Sequence, residues 1–370
     1  MFFNIPGEMN LLIACVTLSL MILMCDSAVM PTTDDQRFVF STDQWLDKDT
    51  FYPDIGNGFL GTQLFSDSIF ISGMFNGWRG SSHKARIQQY LPYTMVPPSV
   101  QSGRSETTED FRISVNMYDG ITSLTSKLTE DDVTVEQLFY AHRSQPNLLV
   151  TEIVVEKLTA GTSHVELIGR SGDSSRDLTL TQIPWLQSDE DRHGDGDSDP
   201  VVYKVETREI ETENAETVTA FIVASTWPAF LRVQKGKSKF VFIQSIAFSL
   251  RQAKNSFRKG WRKYQRGKLQ KNHKKEWNKT WLSGVDVDDL ELSRSIISSY
   301  YYLHSSLPTP QSSKKFEFYG VSPGGVAHGG DSSEYIGHVF WDQDFWMMPA
   351  VLPNFPGEHL LCFFVCFESI

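Results

Sequence analysis

The spacing of apolar residues divides the chain into a strand-like part and a helical part. From residue 38 to about residue 250, the apolar runs are short, often alternate with polar residues and are separated by turn residues. Runs of this kind include 61–65, 111–115, 133–139, 148–155 and 240–250. Many short strands in succession, without intervening helices, predict an antiparallel β-sandwich over 38–250 and a mainly β, then α, fold class.

The pattern changes after residue 250. Residues 251–275 contain eleven Lys or Arg residues, and such a run is typical of an exposed helix. Trp277 and Trp281 follow at a spacing that places both on one helix face. We therefore predict a basic helical linker over 251–284. A nucleic-acid site is the weaker interpretation of the basic run.

Two further helices are predicted beyond the linker. Asp288 or Asp289 can cap a helix that ends before Pro308. A glycine-rich loop occupies 321–337, and a loop of this length inside a compact domain is usually functional. A second helix is predicted to begin near Asp342.

The ten residues 337–346 are the most distinctive stretch of the sequence. They contain four aromatic rings, a histidine and two carboxylates, Asp342 and Asp344. Trp341 beside Asp342 suits a sugar, because an indole face can cover ring C–H groups while a carboxylate accepts hydrogen bonds from hydroxyls. The alternative is a plain helix start, with an aspartate near its N-terminus and the aromatic rings in the core.

Composition and charge exclude some functions. The chain has 370 residues, of which 40% are hydrophobic, and this is ample for a large core and two domains. The formal charge of −11 argues against a general nucleic-acid binder. Residues 188–200 space their aspartates like a calcium loop, but Pro200 stands where the turn glycine belongs, so we interpret them as a solvated loop. No metal or other cofactor is expected.

The N-terminal segment predicts a signal peptide over residues 1–27 and a secreted or endomembrane-lumen protein. Its apolar run is too short to span a bilayer, so no stable membrane span is expected. A signal anchor and a cytoplasmic start at Met30 are the alternatives. If the chain is secreted, Asn278 is the acceptor of an N-glycosylation sequon. The four cysteines lie near the two ends of the chain, so we expect no disulfide framework in the folded body.

Several ordered motifs resemble glycoside hydrolase family 65. They run from about residue 38 to residue 356 and comprise Ser41-Thr42-Asp43, the glycine-rich segment 53–62, Gly73-Met74-Phe75-Asn76-Gly77, Ser82-His83-Lys84-Ala85, Trp277 with Trp281, residues 298–303, and Gly337-His338-Val339-Phe340-Trp341-Asp342-Gln343-Asp344. The resemblance implies that the start of an (α/α)6 catalytic barrel occupies 285–357.

The resemblance also implies an activity and its residues. An inverting α-glucosidase would remove glucose from glucosyl-galactosyl-hydroxylysine of collagen-like proteins. Trp341 and Asp342 would bind that glucose, and Asp344, where relatives favour Glu, would have a weaker role. A disaccharide phosphorylase, a trehalase-type enzyme and a non-catalytic carbohydrate-binding fragment remain alternatives.

The resemblance implies a limit as well. The general acid of the family is a glutamate further into the barrel, and nothing in residues 1–370 matches it. Residues 358–370 form an apolar tail that departs from the family pattern. Asp342 and Asp344 would point to different sides of a helix, so they cannot be the two carboxyl groups that inversion needs. We therefore expect a fragment that is catalytically inactive.

Overall fold

The structure is a computed structural model that describes residue 32 and the ranges 35–46, 52–98, 110–128, 132–169, 176–185, 199–213, 215–310, 312–318, 320–331 and 333–351. The predicted signal peptide, all four cysteines, most of the acidic loop 188–200 and the tail 358–370 lie outside these residues.

Strands dominate the described chain as far as residue 247. They are β1 (Val39–Thr42), β2 (Asp54–Gly56), β3 (Leu60–Gln63), β4 (Ser68–Ile71), β5 (Phe75–Asn76), β6 (His83–Lys84), β7 (Ile87–Gln88), β8 (Pro92–Tyr93), β9 (Phe111–Asn116), β10 (Ile121–Leu128), β11 (Val133–Ala141), β12 (Leu148–Glu166), β13 (Ile168–Gly169), β14 (Leu178–Ile183), β15 (Val201–Thr207), β16 (Thr219–Ala224) and β17 (Phe230–Ala247).

Among the described residues, nine strands form one large antiparallel sheet in the order β1-β9-β10-β11-β12-β17-β16-β15-β14. The sequence alternation explains its two faces, since successive side chains of a strand point to opposite sides. In β11, Val133 and Val135 are buried while Thr134 and Glu136 are exposed. The predicted antiparallel β fold is therefore confirmed.

A second layer of short strands covers one face of the large sheet. It consists of the sheet β2-β3-β4-β7 and the pairs β5-β6 and β8-β13. Ile69 and Tyr93 of this layer share one apolar core with Phe139 and Ile153 of the large sheet. The two layers make the sandwich that the strand pattern predicts.

Helices cover part of the other face. They are α1 (Leu250–Gln265), α2 (Leu269–Thr280), α3 (Leu290–Ser306) and α4 (Met348–Val351). Phe257 of α1 and Leu269 of α2 pack against Val150 and Ile243. The first six residues of β12 are consequently buried on both faces, and four of them, Leu148, Leu149, Val150 and Ile153, are apolar.

The predicted helices are present where the sequence places them. Asp289 caps α3, because its Oδ1 accepts a hydrogen bond of 2.8 Å from the Leu292 nitrogen. Trp277 and Trp281 share one buried face with Phe38. Of the (α/α)6 barrel, the described residues contain α3 and α4 after the linker, so the barrel itself and the predicted domain boundaries stay predictions.

Two buried residues of the sandwich, Arg143 and Gly58, join it to the end of α3. The guanidinium of Arg143 donates to the carbonyl oxygens of His304 and Leu307, both at 2.6 Å. It also stands 4.6 Å above the Trp277 ring. The Gly58 nitrogen donates to the Ser305 oxygen at 2.8 Å. These contacts fix the position of the end of α3, from which the chain continues to the glycine-rich loop.

Candidate functional site

The glycine-rich loop lies across the short strands of the second layer, and Lys84 of β6 fastens it there. The backbone nitrogen of Lys84 donates to the Gly329 oxygen at 2.9 Å. The side-chain Nζ of Lys84 donates to the Gly325 oxygen at 2.8 Å. A Cβ atom on Gly337 would come within 2.6 Å of the Lys84 side chain. The loop therefore needs glycine at this crossing. Burial lowers the pKa of Lys84 to about 8.

Two histidines, His328 of the loop and His338 directly after it, also attach the loop to the second layer. His328 donates from Nε2 to Asp54 Oδ1 at 2.9 Å, and this hydrogen bond raises the pKa of His328 above its usual value. His338 stacks on Phe75, with ring centroids 4.6 Å apart, and donates to the Ser82 oxygen at 2.9 Å. The chain that follows His338 therefore starts from a fixed point.

An ion-pair group holds the outer side of the loop. Asp177 is buried and accepts hydrogen bonds from Arg86 Nε at 2.9 Å and from His83 at 3.2 Å. Arg86 also pairs with Asp331 of the loop at 3.0 Å. Burial by itself would raise the pKa of Asp177, but the hydrogen bonds from Arg86 and His83 outweigh it and lower the pKa to about 2.

Replacing Asp177 with asparagine is expected to lower the free energy of unfolding by about 2 kcal/mol at neutral pH, because charge-assisted hydrogen bonds to a buried carboxylate are lost. The folded pKa lies below the unfolded value of 3.8. The contribution of the carboxylate is thus present above pH 4 and is lost as pH falls towards 2.

Urea unfolding at pH 6 and at pH 2.5 tests this dependence. The difference between the native protein and Asp177→Asn should shrink at the lower pH. Asp331→Asn, at an exposed partner of the same arginine, is the matched control and should cost much less. The prediction is contradicted if the free energies of unfolding of the native protein and of Asp177→Asn differ by the same amount at both pH values.

The helical segment after the loop begins at Asp342, as predicted. The backbone is helical at Asp342, forms a wider π-turn over Gln343–Met347 and continues into α4. Gln343 is buried, and its Oε1 accepts a hydrogen bond of 2.8 Å from the Val321 nitrogen. Met348 and Val351 pack against Leu307. The segment is therefore held by a hydrogen bond from the glycine-rich loop and by packing against the residue that follows α3.

The aromatic rings of this segment face outward. Trp341, Phe345 and Trp346 are 59%, 68% and 66% exposed. The Trp341 ring lies 5.7 Å from Phe345 and 6.3 Å from Trp346. Among the described residues these rings therefore do not enter the core, although the helix start of that alternative is present. Exposed aromatic rings that contact one another form an apolar surface of the kind that binds a partner or ligand.

Asp342 and Asp344 border this aromatic surface. Asp342 is half-buried and Asp344 is exposed, with buried Gln343 between them. Asp344 Oδ1 accepts a long hydrogen bond of 3.4 Å from Gln343 Nε2. Because the backbone is helical here, the two carboxylates project in different directions. The surface can offer hydrogen-bond acceptors beside aromatic faces, which are the elements of a sugar site.

The space beneath the loop is too small for a sugar. It has a volume of about 20 Å³ and is lined by residues that include Lys84, Val321 and Val339. A cavity of this size holds about one water molecule. A sugar therefore does not fit beneath the loop, and the outer, aromatic side is the remaining candidate surface of this segment.

Sequence reasoning did not single out Lys84, Arg86, Asp177 or His338 as parts of the site. The signal for two of them was present, because Lys84 lies in the motif 82–85 and His338 in the motif 337–344. The Arg86–Asp177 pair has no comparable signal, since its partners lie 91 residues apart.

Asn278 lies elsewhere, on α2. Its Nδ2 donates to the Tyr118 oxygen at 2.9 Å and to Asp119 Oδ1 at 3.3 Å. A glycan would need this same nitrogen, so the folded geometry disfavours it, and glycosylation stays a prediction. Within the described ranges, no group of acidic, histidine or cysteine side chains could hold a metal ion. Nor is any described helix long and apolar enough to cross a membrane.

Comparisons with known proteins support the motif resemblance. The chain is 30% identical over 310 residues to the protein-glucosylgalactosylhydroxylysine glucosidase of Gallus gallus, covering 82% of this chain and 41% of that protein. The Mus musculus protein of the same name is 29% identical over 336 residues, with 88% and 46% covered. No family model matches the chain.

Shorter and more distant similarities point the same way. A kojibiose hydrolase of Mucilaginibacter mallensis is 35% identical over 89 residues, which are 24% of this chain and 12% of that protein. A solved structure from the human microbiome, named as a kojibiose phosphorylase, superposes with a TM-score of 0.56 at 12% identity, covering 86% of this chain and 44% of that one. The latter likeness shows the fold. The chain spans less than half the length of the relatives it matches over most of its own length.

Proposed function

Because the chain is related over most of its length to glucosidases that bear one common name, we propose that it forms the sandwich and the glucose-holding surface of a glycoside hydrolase. The substrate class is an α-glucoside, specifically the glucosyl-galactosyl unit on hydroxylysine. The observation that carries this proposal is the exposed aromatic surface around Trp341, with the half-buried carboxylate of Asp342 at its edge.

Trp341 and Asp342 have complementary roles in this proposal. The indole of Trp341 covers the apolar face of the glucose ring, and Asp342 accepts hydrogen bonds from two neighbouring hydroxyls. Asp344 is more exposed and already accepts a hydrogen bond, so it contributes less. Lys84 and His338 do not contact the sugar in this proposal but hold the segment in place.

The reaction itself is hydrolysis with inversion. Water attacks the anomeric carbon, the bond to the galactose oxygen breaks, one carboxylate takes the proton of the water and one carboxyl group protonates the leaving oxygen. Those two groups stand roughly 6.5–9.5 Å apart on opposite faces of the sugar. Asp342 and Asp344 diverge from one helical turn, so we assign them to binding and not to this proton transfer.

Replacing Trp341 with alanine is expected to weaken glucose binding at least about tenfold, because truncation of a central aromatic contact commonly costs about 2 kcal/mol. Asp342→Asn is expected to weaken it comparably, since the hydrogen bonds to a charged acceptor are lost. Fluorescence titration with methyl α-glucoside, checked by saturation-transfer NMR, measures both.

Trp78→Ala is the matched control, because this half-buried tryptophan lies on a different loop. It should leave the dissociation constant unchanged. Unchanged binding in both the Trp341 and the Asp342 variants would overturn the proposed sugar site.

Phosphorolysis is a second candidate, favoured by the fold likeness to the kojibiose phosphorylase. The two reactions differ in product: hydrolysis gives glucose and phosphorolysis gives glucose 1-phosphate. Incubating this chain with glucosyl-galactosyl-hydroxylysine, with and without phosphate, is expected to give neither product, because nothing in residues 1–370 matches the general acid that the resemblance implies. Release of glucose would contradict that inactivity. Glucose 1-phosphate that forms only with phosphate would contradict hydrolysis.

A further inference from the structure

A groove on the sandwich, outside the aromatic site, carries an inference of its own. Its volume is about 1000 Å³, and it lies between the large sheet, the turn that joins α1 to α2, and α2 itself. Glu152 and Lys239 come from the strands β12 and β17, Tyr264 comes from the end of α1, and Gly267 comes from the turn. Such a volume accommodates a ligand of several sugar units or a comparable chain.

The floor of the groove is already neutralised. Glu152 is completely buried, and its carboxylate accepts hydrogen bonds from Tyr140 and pairs with Lys239 at 2.5 Å. Lys274 pairs with buried Asp119 at 2.7 Å. These pairs satisfy the internal carboxylates, so they do not compete for the remaining cations.

The rim of the groove is cationic, and although Lys279 there pairs with Glu276, two other lysines of the rim are in no ion pair among the described residues. Lys271 and Lys275 are exposed and line the groove. In the part of the chain that the structure describes, neither forms an ion pair, and the same holds for Arg266 and Lys268 at the adjoining turn. Lys268, Lys271 and Lys275 lie three and four residues apart, so they follow one side of α2 over roughly 10 Å. A row of this kind matches a linear anion.

The groove does not offer a platform for nucleic-acid bases. Single strands are usually held by bases stacked on open aromatic faces. Here the Tyr264 ring packs against Trp261 at 5.6 Å and is approached by Lys239 at 5.9 Å. The Tyr118 ring packs against Phe38 at 5.5 Å. The groove wall instead includes Gln265, whose side-chain amide suits hydroxyl groups.

We propose that this groove binds a linear anionic oligosaccharide, with Lys271 and Lys275 contacting its sulfate or carboxylate groups. This inference is independent of the sugar site around Trp341. It also gives the basic run 251–275 a role in a chain whose net charge is −11.

The double variant Lys271→Ala/Lys275→Ala tests the proposal. A heparin-derived hexasaccharide, titrated by calorimetry at low salt, should bind at least tenfold more weakly to this variant than to the native protein. The affinity of the native protein should fall steeply with added salt, because the contacts are ionic. The melting temperature should not change, because both side chains are exposed and unpaired.

Arg251→Ala/Lys259→Ala is the matched control. It removes the same charge from exposed positions of α1 that line a separate, smaller cavity, and it should weaken binding less than twofold. An unsulfated hyaluronan hexasaccharide shows whether carboxylates suffice or sulfates are required, and binding of either saccharide supports the proposal. An equal loss in the two double variants would overturn it. So would a single-stranded oligonucleotide that binds as tightly as the hexasaccharide and loses affinity in the same variant.

Discussion

Replacing Arg143 with alanine is expected to lower the free energy of unfolding by about 3–5 kcal/mol, because two buried carbonyl groups lose their donor and a cavity is left. The side chain is completely buried. Its loss leaves the carbonyl oxygens of His304 and Leu307 without their 2.6 Å donor. It also removes the cation above Trp277 and leaves a cavity. Urea unfolding monitored by tryptophan fluorescence measures the change.

Two further variants make this test specific. Arg79→Ala removes an exposed arginine that pairs with exposed Glu213, and it should change stability by less than about 0.5 kcal/mol. Arg143→Met fills most of the volume without the charge and should cost less than alanine. A loss below 1 kcal/mol in Arg143→Ala would show that the carbonyl groups find other donors.

Gly58→Ala is expected to cost about 3 kcal/mol or more. Gly58 has a φ of +86°, and a Cβ atom there would lie 2.3 Å from the Pro308 nitrogen and 2.4 Å from the Leu307 carbonyl carbon. Both of these atoms belong to the backbone, so a change of side-chain rotamer cannot relieve the clash. The strand layer and the end of α3 would have to separate, and the start of the loop would move with them.

Gly161→Ala is the matched control for Gly58→Ala. Its φ is +99°, but nothing lies within 4 Å of the added Cβ. It therefore reports the cost of the backbone conformation alone, about 1–2 kcal/mol. The same urea experiment measures both variants. An equal cost at the two positions would show that the contact with Leu307 and Pro308 yields easily.

Local patterns predicted the elements of this fold well. The alternation in β11 and the mainly apolar start of β12 follow from the period of a strand and from burial on one or both faces. Asp288 or Asp289 was predicted as a cap, because an aspartate can satisfy free nitrogens at a helix start, and the structure shows that Asp289 is the cap. In each case the information lies within a few residues of the element.

The arrangement of the site could be predicted only in part. Trp341 and Asp342 stood out by composition, and the helix start at Asp342 followed from the pattern. The outward orientation of Trp341 did not, because either side of a helical turn is open to an aromatic residue until its neighbours are known. The contacts of Lys84 and Asp177 join distant parts of the chain, and no local pattern encodes such partners.

The fastening of the loop by Lys84 has a consequence for the order in which the protein takes shape on the ribosome. Lys84 Nζ and its acceptor at Gly325 are 241 residues apart. At ordinary rates of synthesis this separation amounts to roughly 10–50 s. During that time β6 has been synthesised, but Gly325 has not, so Lys84 lacks this hydrogen-bond acceptor and is exposed to water or to a chaperone. The aromatic surface around Trp341 is thus among the last parts of the described chain to form, and a pause in translation between residues 84 and 325 would lengthen the exposure of β6.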